Sequence, residues 1–397
     1  MKIKDQRSKA INGIKFVDLA AENKLYAPGI KKRWDRIGRR GLFLNGPERA
    51  ELEQRFKDIT GKWHAISVKN GTDAITLLVG ALWKPGMKVI LPNFGAYPTA
   101  FSVARVCGPE NIVFVDVDKN LFLDPAKLPP KVKNGIVITV NLFGQESVNN
   151  VLNSYVSQNR HQLIVDCAQS FGIESCFKKR TNEIMHPFSK RRYLHNAHFI
   201  FSFYPTKNMG SFGDGGMICT NSVELAYKTE RSRFYGYYDP FSSVTGLNSR
   251  MDEWQCAVVN EKLQQIAVFH SQMDKTRKIA NSYGMYLGSH LQQHKFQNNW
   301  LIDDAKRHMY PVLFPNKKVR VMAVKVLDKH KIPWMVHYDH HVSELPAFKK
   351  NKTRKVGYRV NDRILSIPLH PYLSPSQTSH IFKALRQIRK RYAAKNY

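Results

Sequence analysis

Three short segments carry residue types that could do chemistry together. Phe201-Ser202-Phe203-Tyr204-Pro205-Thr206-Lys207-Asn208 sets one lysine just past an apolar run, in a turn followed by Gly210 and Gly213-Asp214-Gly215-Gly216. A lysine held out of water in such a pocket sheds its proton and can serve as a Schiff-base amine. Ile164-Val165-Asp166-Cys167-Ala168-Gln169 ends an apolar run on a carboxylate, which is costly to bury unless a cation or an N–H group meets it. The plainer reading of Asp166 is a cap on the next helix. Asn70-Gly71-Thr72-Asp73-Ala74 opens a helical stretch. Its glycine permits close backbone approach and its free N–H groups suit a phosphate, while Thr72 as an ordinary N-cap is the plainer alternative.

These segments can meet only if the elements carrying them line up. Short runs rich in Val, Ile and Phe at His64–Val68, Lys88–Leu91, Asn111–Val117, Gly135–Val140, Gln162–Asp166, His198–Phe203 and Gly216–Thr220 predict strands buried on both faces of a mostly parallel sheet. Thr72–Leu82 and Ser147–Gln158 carry apolar residues at helical spacing, so the alternation predicts an α/β domain with helices on both faces. Ligands of such sheets sit beyond the carboxyl ends of the strands, where the three segments fall. Past residue 250, Met251–Ala267 and Met273–Leu291 predict long helices, and short strands and loops lead to a closing helix. Ser374, Pro375 and Gln377 form its capping box, and Ile381, Phe382, Leu385 and Ile388 its apolar stripe. The expected organisation is a basic, weakly patterned segment over residues 1–40 packing on the body, a large α/β domain over 41–260, and a smaller α+β domain over 261–397.

At this point the residues match a known family. Phe201–Gly216 resembles the lysine-bearing motif of the pyridoxal-phosphate-dependent sugar aminotransferases, the DegT/DnrJ/EryC1/StrS family. Gly71-Thr72-Asp73-Ala74, Asp166-Cys167-Ala168-Gln169, Gly246-Leu247-Asn248-Ser249-Arg250-Met251-Asp252-Glu253 and the Asn361–Pro371 segment match it further. Asn45-Gly46-Pro47-Glu48 and Val115-Asp116-Val117-Asp118 fit the same pattern, and the motifs run in family order from about residue 40 to 390.

The resemblance implies a fold-type I aminotransferase with a seven-stranded, mostly parallel sheet and pyridoxal 5'-phosphate as cofactor. Lys207 would bind the cofactor and later shuttle the proton, and Asp166 would pair with the pyridine nitrogen. Gln169 would lie beside the ring hydroxyl, while Gly71, Thr72 and Ser202 would hold the phosphate. Asn248 matches an asparagine that reaches the phosphate from the neighbouring subunit, which implies a homodimer with shared sites. The family sets an aromatic residue over the cofactor ring. Here Ala96 stands at that position in Pro92–Thr99, and Tyr97, one residue on, is the aromatic available for the role. His337, His308 and Tyr310 would lie near the sugar. The implied reaction aminates C3 or C4 of a nucleoside-diphosphate keto-6-deoxy sugar with glutamate as donor, giving an amino sugar for glycan biosynthesis. A same-fold dehydratase replaces the lysine with histidine, which Lys207 argues against. A regulatory paralogue, or a basic binding protein that keeps the fold, is the alternative of a different class.

Composition bounds the rest. The chain has 397 residues, 43% of them hydrophobic, enough for a sizeable core, and wholesale disorder is excluded. Five scattered cysteines (Cys107, Cys167, Cys176, Cys219, Cys256) without a Cys-x-x-Cys pair predict reduced thiols in an intracellular protein. No apolar run approaches the roughly 20 residues of a membrane span, so a soluble, cytoplasmic protein with no membrane partner is expected. His337-Tyr338-Asp339-His340-His341 looks metal-like but lacks a second ligand cluster, so no metal is expected. The net charge of +31, from 62 Lys and Arg against 31 Asp and Glu, is the oddity. Its clusters lack interleaved aromatics and read as solvated faces rather than a nucleic-acid groove.

Overall fold

The apolar runs become the strands of one sheet. The computed structural model describes residues 13–172, 196–236, 246–291, 308–351 and 359–394. Cys176 and the clusters Lys178–Arg180 and Lys190–Arg192 lie outside them. The strands are β1 (His64–Val68), β2 (Val89–Pro92), β3 (Ile112–Val115), β4 (Ile136–Val140), β5 (Gln162–Asp166), β6 (His198–Ser202) and β7 (Gly216–Thr220). Their spatial order is β1-β7-β6-β5-β4-β2-β3. All neighbours pair in parallel except β7, which runs against both β6 and β1. Strand alternation sorts each run between two cores. Leu163, Val165, Phe199 and Phe201 face one cluster, while Ile164, Ile200 and Ile218 face the other.

Outermost on the first face lies α1 (Leu19–Arg40), packed against α7 (Glu253–Gln264). Beneath it α2 (Pro47–Thr60), α5 (Asn150–Gln158) and α7 bring Leu52, Phe56, Leu152, Val156 and Val259 onto the sheet. On the second face α3 (Gly71–Leu82), α4 (Tyr97–Cys107) and α6 (Val223–Ser232) contribute Ala74, Leu78, Val103 and Leu225.

The segment read as weakly patterned is a 22-residue helix with Tyr26, Ile30, Arg33 and Ile37 buried along one stripe. Pro28 and Gly29 inside it disguise the period, since both residues count against a helix interior. Gly29 is there for space: a Cβ would stand 1.9 Å from a Glu261 oxygen. The helix read as Met251–Ala267 starts at Glu253, on the Asp252 cap, and ends at Gln264. Gln265 leaves helical geometry, and α8 (Ile266–Leu291) starts at once rather than at Met273. The break lets α7 stay on the sheet while Ala280, Tyr283 and Leu287 of α8 enter a separate C-terminal cluster.

That cluster lies between α8, α9 (Lys317–Lys329), α10 (Pro375–Ala394) and an antiparallel pair, β8 (Tyr310–Leu313) and β9 (Ile364–Ile367). The capping box of α10 is formed: Ser374 N–H donates to Gln377 Oε1 at 2.9 Å and Gln377 N–H to Ser374 Oγ at 3.2 Å. Cys107, Cys167, Cys219 and Cys256 are buried and, among the described residues, in no disulfide. Among the described residues no helix is long and apolar enough to cross a membrane.

One buried cation ties three helices. Arg33, 4% exposed, donates to Glu48 at 2.6 Å, Glu51 at 2.9 Å, Glu261 at 3.2 Å and Gln264 at 2.6 Å. Removing it strands the carboxylates of Glu48 and Glu261 in the interior. Arg33→Ala is therefore expected to lose about 3–5 kcal/mol of stability, read from a denaturant or thermal unfolding curve. Lys31→Ala, at an exposed pair, should change almost nothing.

Candidate active site

The sheet brings the three chemical segments to one edge. In register, Val68 of β1 pairs with Gly216 of β7, and Gly216 pairs with Ser202 of β6. β5 adjoins β6 and ends at Asp166. The turn after β1 must come very close to the start of β7, and glycine makes this possible. A Cβ on Gly216 would lie 2.6 Å from the carbonyl carbon of Asn70, and one on Gly71 would lie 2.9 Å from the Ser202 Cβ. Side chains do not tolerate such approaches, so Gly71 leaves a cradle beside the Ser202 hydroxyl at the start of α3. Asn70, rather than Thr72, is the N-cap, its side chain accepting from Asp73 N–H at 2.7 Å. Thr72 is thereby left on the exposed side of the first turn, where free N–H groups and the positive end of the helix dipole favour an anion.

Asp166 is 3% exposed and accepts hydrogen bonds from Thr99 Oγ1 and Ala168 N–H, both at 3.0 Å. Burial pushes its pKa up, against the pull of these donors and of the Lys207 charge. Burial lowers the Lys207 amine to about 8, with Asp166 pulling the other way. The pair is one positive and one negative group sharing a dry edge, neither fully compensated. His308 lines a cavity with Thr206 and Lys207, closed by Tyr26 of α1 and Tyr372. Burial, then the Lys207 charge, drives its pKa well below the ordinary value. The same two causes bring His337 to about 4, and its Nδ1 lies 2.9 Å from Ser366 Oγ on β9. Both rings stay neutral and can form hydrogen bonds without repelling a cationic lysine.

Gln169 is clamped: its Oε1 accepts from Phe143 N–H at 2.8 Å and its Nε2 donates to the Tyr338 hydroxyl at 2.9 Å. Tyr338 is the residue that sequence reasoning missed. It sits inside the string examined for metal ligands, and it lies close enough to feel the Asp166 charge, its phenol pushed up to about 12 by burial. Thr99, the donor to Asp166, was missed because the Pro92–Thr99 loop was searched for an aromatic. Tyr97 opens α4 and donates to Asp339. It also accepts from His340 N–H at 3.1 Å, and its ring lies 5.8 Å from that of Tyr338. The three histidines of the string separate: His337 faces Ser366, His340 is exposed and His341 is buried against Phe94.

One expected residue lies elsewhere. Tyr310 is seated in the C-terminal core, its ring edge-on to Tyr283 at 5.2 Å, because alternation along β8 turns it away from the face that carries Leu313. Asn248 is exposed and accepts from Arg250 at 3.3 Å. Among the described residues it shares no hydrogen bond with Lys207, Ser202 or the α3 turn.

A dry lysine opposite a buried carboxylate, with an anion cradle alongside, matches one group of enzymes in particular. The family model of the DegT/DnrJ/EryC1/StrS aminotransferases matches residues 28–386. The chain belongs to that family. It is therefore a pyridoxal-phosphate-dependent aminotransferase. The chain is 30% identical over 382 residues, covering 94% of itself and 99% of the relative, to the UDP-2-acetamido-2-deoxy-3-oxo-D-glucuronate aminotransferase of Pseudomonas aeruginosa. It is 26% identical, with 94% and 99% coverage, to the dTDP-3-amino-3,6-dideoxy-alpha-D-galactopyranose transaminase of Aneurinibacillus thermoaerophilus. Its fold superposes with a TM-score of 0.78 on NtdA of Bacillus subtilis, a crystal structure with bound cofactor PMP, at 22% identity over 97% of this chain and 87% of that one.

The family's cofactor fits the residues present, on the chain's own evidence. Gly71 leaves room beside Ser202 for a phosphate, and Asp166 is a buried acceptor awaiting a cation. Gly71→Ala is expected to weaken cofactor binding about tenfold or more by filling that cradle, measured by titrating pyridoxal phosphate into the apoprotein, with little change in unfolding. The lysine gives a pH signature. Its folded pKa lies below its unfolded value near 10.5, so the unfolded chain binds more protons between pH 8 and 10.5. The stability of the apoprotein relative to Lys207→Met should accordingly rise across that window, by up to about 3 kcal/mol. Paired unfolding curves at pH 7 and pH 10 measure it.

Proposed function

We propose that the enzyme moves an amino group from glutamate to C3 of a nucleoside-diphosphate 3-keto sugar. The observation that carries the reading is the juxtaposition of a half-buried Lys207, its amine lowered to about 8, with buried Asp166. The position of amination is supported by relatives named for 3-oxo and 3-amino sugars.

In this proposal Gly71, Thr72 and Ser202 hold the cofactor phosphate, Gln169 lies beside the ring hydroxyl, and Asp166 meets the ring nitrogen. When bound, the cofactor supplies a carbonyl for the amine and an electron sink for the carbon that loses a proton. Asp166, kept from water and held by Thr99 and Ala168, keeps its carboxylate aimed at one atom and in one orientation. Lys207 would hold the cofactor through Nζ and, when its amine is free, carry a proton at that atom. A pKa near 8 suits both removing and returning that proton near neutral pH. His308 and His337, neutral and close to Lys207, orient the sugar's hydroxyl groups. Tyr97 holds the His337–His341 loop over the site through Asp339. We also propose that two chains share their sites, Asn248 reaching the partner's phosphate. Residues 41–260 would then form the cofactor-binding part and 261–397 its cover.

The test has separable readouts. Purified protein reconstituted with pyridoxal phosphate is expected to absorb in the visible, to bleach with glutamate, and to give a borohydride-stable adduct on the Lys207 peptide. Lys207→Ala should lose the adduct and all turnover. A 3-keto sugar nucleotide should restore the colour as amine is delivered, and mass spectrometry with proton NMR should find the amine on C3. No adduct at Lys207 overturns the enzyme reading, whereas an adduct with amination at C4 overturns only the regiochemistry.

A further inference from the structure

Most of the chain's surplus charge has no place in the chemistry above. Residues 266–397 carry 25 Lys and Arg against 7 Asp and Glu, whereas residues 41–265 carry 25 against 20. Ten of those 25 cations lie on two adjacent helices. α10 contains no Asp or Glu at all. Its Ile381, Ala384, Leu385 and Ile388 face the C-terminal core, and the spacing therefore turns Lys383, Arg386 and Lys390 outward in one stripe, all exposed. α9 buries Val319, Met322, Ala323 and Val326, which turns Lys318, Lys325 and Lys329 outward, with exposed Val321 among them.

The two helices are fastened side by side. His330, at the end of α9, bonds Gln387 at 2.7 Å through Nε2 and takes a hydrogen bond from His380 on its carbonyl at 2.8 Å. The nearby acids are two against these cations and leave the face net positive. Asp328 accepts the Trp334 indole N–H at 2.8 Å, and Asp362 is 3.6 Å from Lys317, at the edge. Lys318, Lys325, Lys329, Lys383 and Lys390 have no carboxylate partner among the described residues.

We propose that the outward face of α9 and α10 docks the enzyme on an anionic lipid surface. The face is made of helix backs, with their cations on long flexible stems. Such a surface suits a broad sheet of negative charge, and basic residues lying within a Debye length of an anionic leaflet each add to attachment. The aromatic residues of α10, Phe382 and Tyr392, pack against the core, so they are not available for stacking on bases, as single-stranded nucleic acid would require. Position also favours docking. The β8–β9 pair turns Val312, Leu365 and Ile367 toward these helices and Ser366, with its bound His337, the other way. A membrane on the basic face therefore lies behind the pair and leaves the catalytic mouth in water.

The test uses the full-length holoenzyme and sedimented vesicles of phosphatidylcholine, alone or with one third phosphatidylglycerol. The protein is expected to sediment with the phosphatidylglycerol vesicles only, and to be released as salt rises to about 0.5 M. The triple variant Lys383→Glu, Arg386→Glu, Lys390→Glu should reduce partitioning by about tenfold or more. Its turnover should match the parent, since none of the three touches the site, and its melting temperature should fall only slightly, through loss of the Arg386 contact 4.5 Å over the Tyr286 ring. Equal sedimentation with neutral vesicles, or a triple variant that partitions like the parent, overturns the proposal. So does a DNA duplex that binds more tightly than the vesicles and loses affinity through the same three substitutions, which would make the face a nucleic-acid surface.

Discussion

Keeping an amine and a carboxylate dry at one sheet edge is an expensive arrangement, and much of the architecture serves to make it tolerable. Desolvation raises the Asp166 pKa and lowers that of Lys207, so each group is pushed toward its neutral form while the other pulls it back. A sheet buried on both faces supplies the dryness, because its strands end on groups that helices cover from either side. Thr99 and Ala168 supply donors that let Asp166 keep a charge. If that edge were wetter, the lysine would hold its proton to a higher pH and the carboxylate would be just another solvated acid.

The close approach at Gly216, Asn70 and Gly71 is the second constraint, and it follows from the strand order. Because β7 lies between β1 and β6, the turn leaving β1 crosses the start of β7 to reach Ser202. The glycine pair Gly215-Gly216 is thus needed for packing before it is needed for chemistry. It also explains why the cradle is preformed: its walls are strand ends, which have little freedom to move.

Much of this was legible in the residues. Continuous apolar runs located all seven strands of the sheet, three of them to the residue, because burial on both faces leaves few polar letters to confuse them. Asp166 and Gly71 stood out at the ends of apolar runs, Lys207 in the glycine-studded turn past one, and Ser202 through the family resemblance of that segment. Contacts made between distant segments were not legible. Tyr338 meets Gln169 across 169 residues of sequence, and no local pattern announces that contact. The family resemblance set Tyr310 near the sugar, but strand alternation put it in the core. The α1 helix was hidden by Pro28 and Gly29, whose local cost is outweighed by the Arg33 network and by the space Glu261 needs. The separation of Asp252 from Gln265 as start and stop of one helix needed tertiary context too.

The antiparallel placement of β7 has a further consequence for the segment that carries the lysine. Ser202 and Gly216 are register partners, Phe203 N–H bonds the Gly215 carbonyl at 2.8 Å, and Ser211 N–H bonds the Phe203 carbonyl at 2.7 Å. The peptide around Lys207 is therefore a ring laced shut at its neck, unlike the crossover connections elsewhere in the sheet. Closing a short ring fixes its length far more strictly than its composition. Residues can be exchanged along it, but an inserted or deleted residue would change the angle at which the lysine is presented. In evolutionary terms this is where the chain has least freedom to vary in length, while the helical connections around it can lengthen or shorten without disturbing the amine.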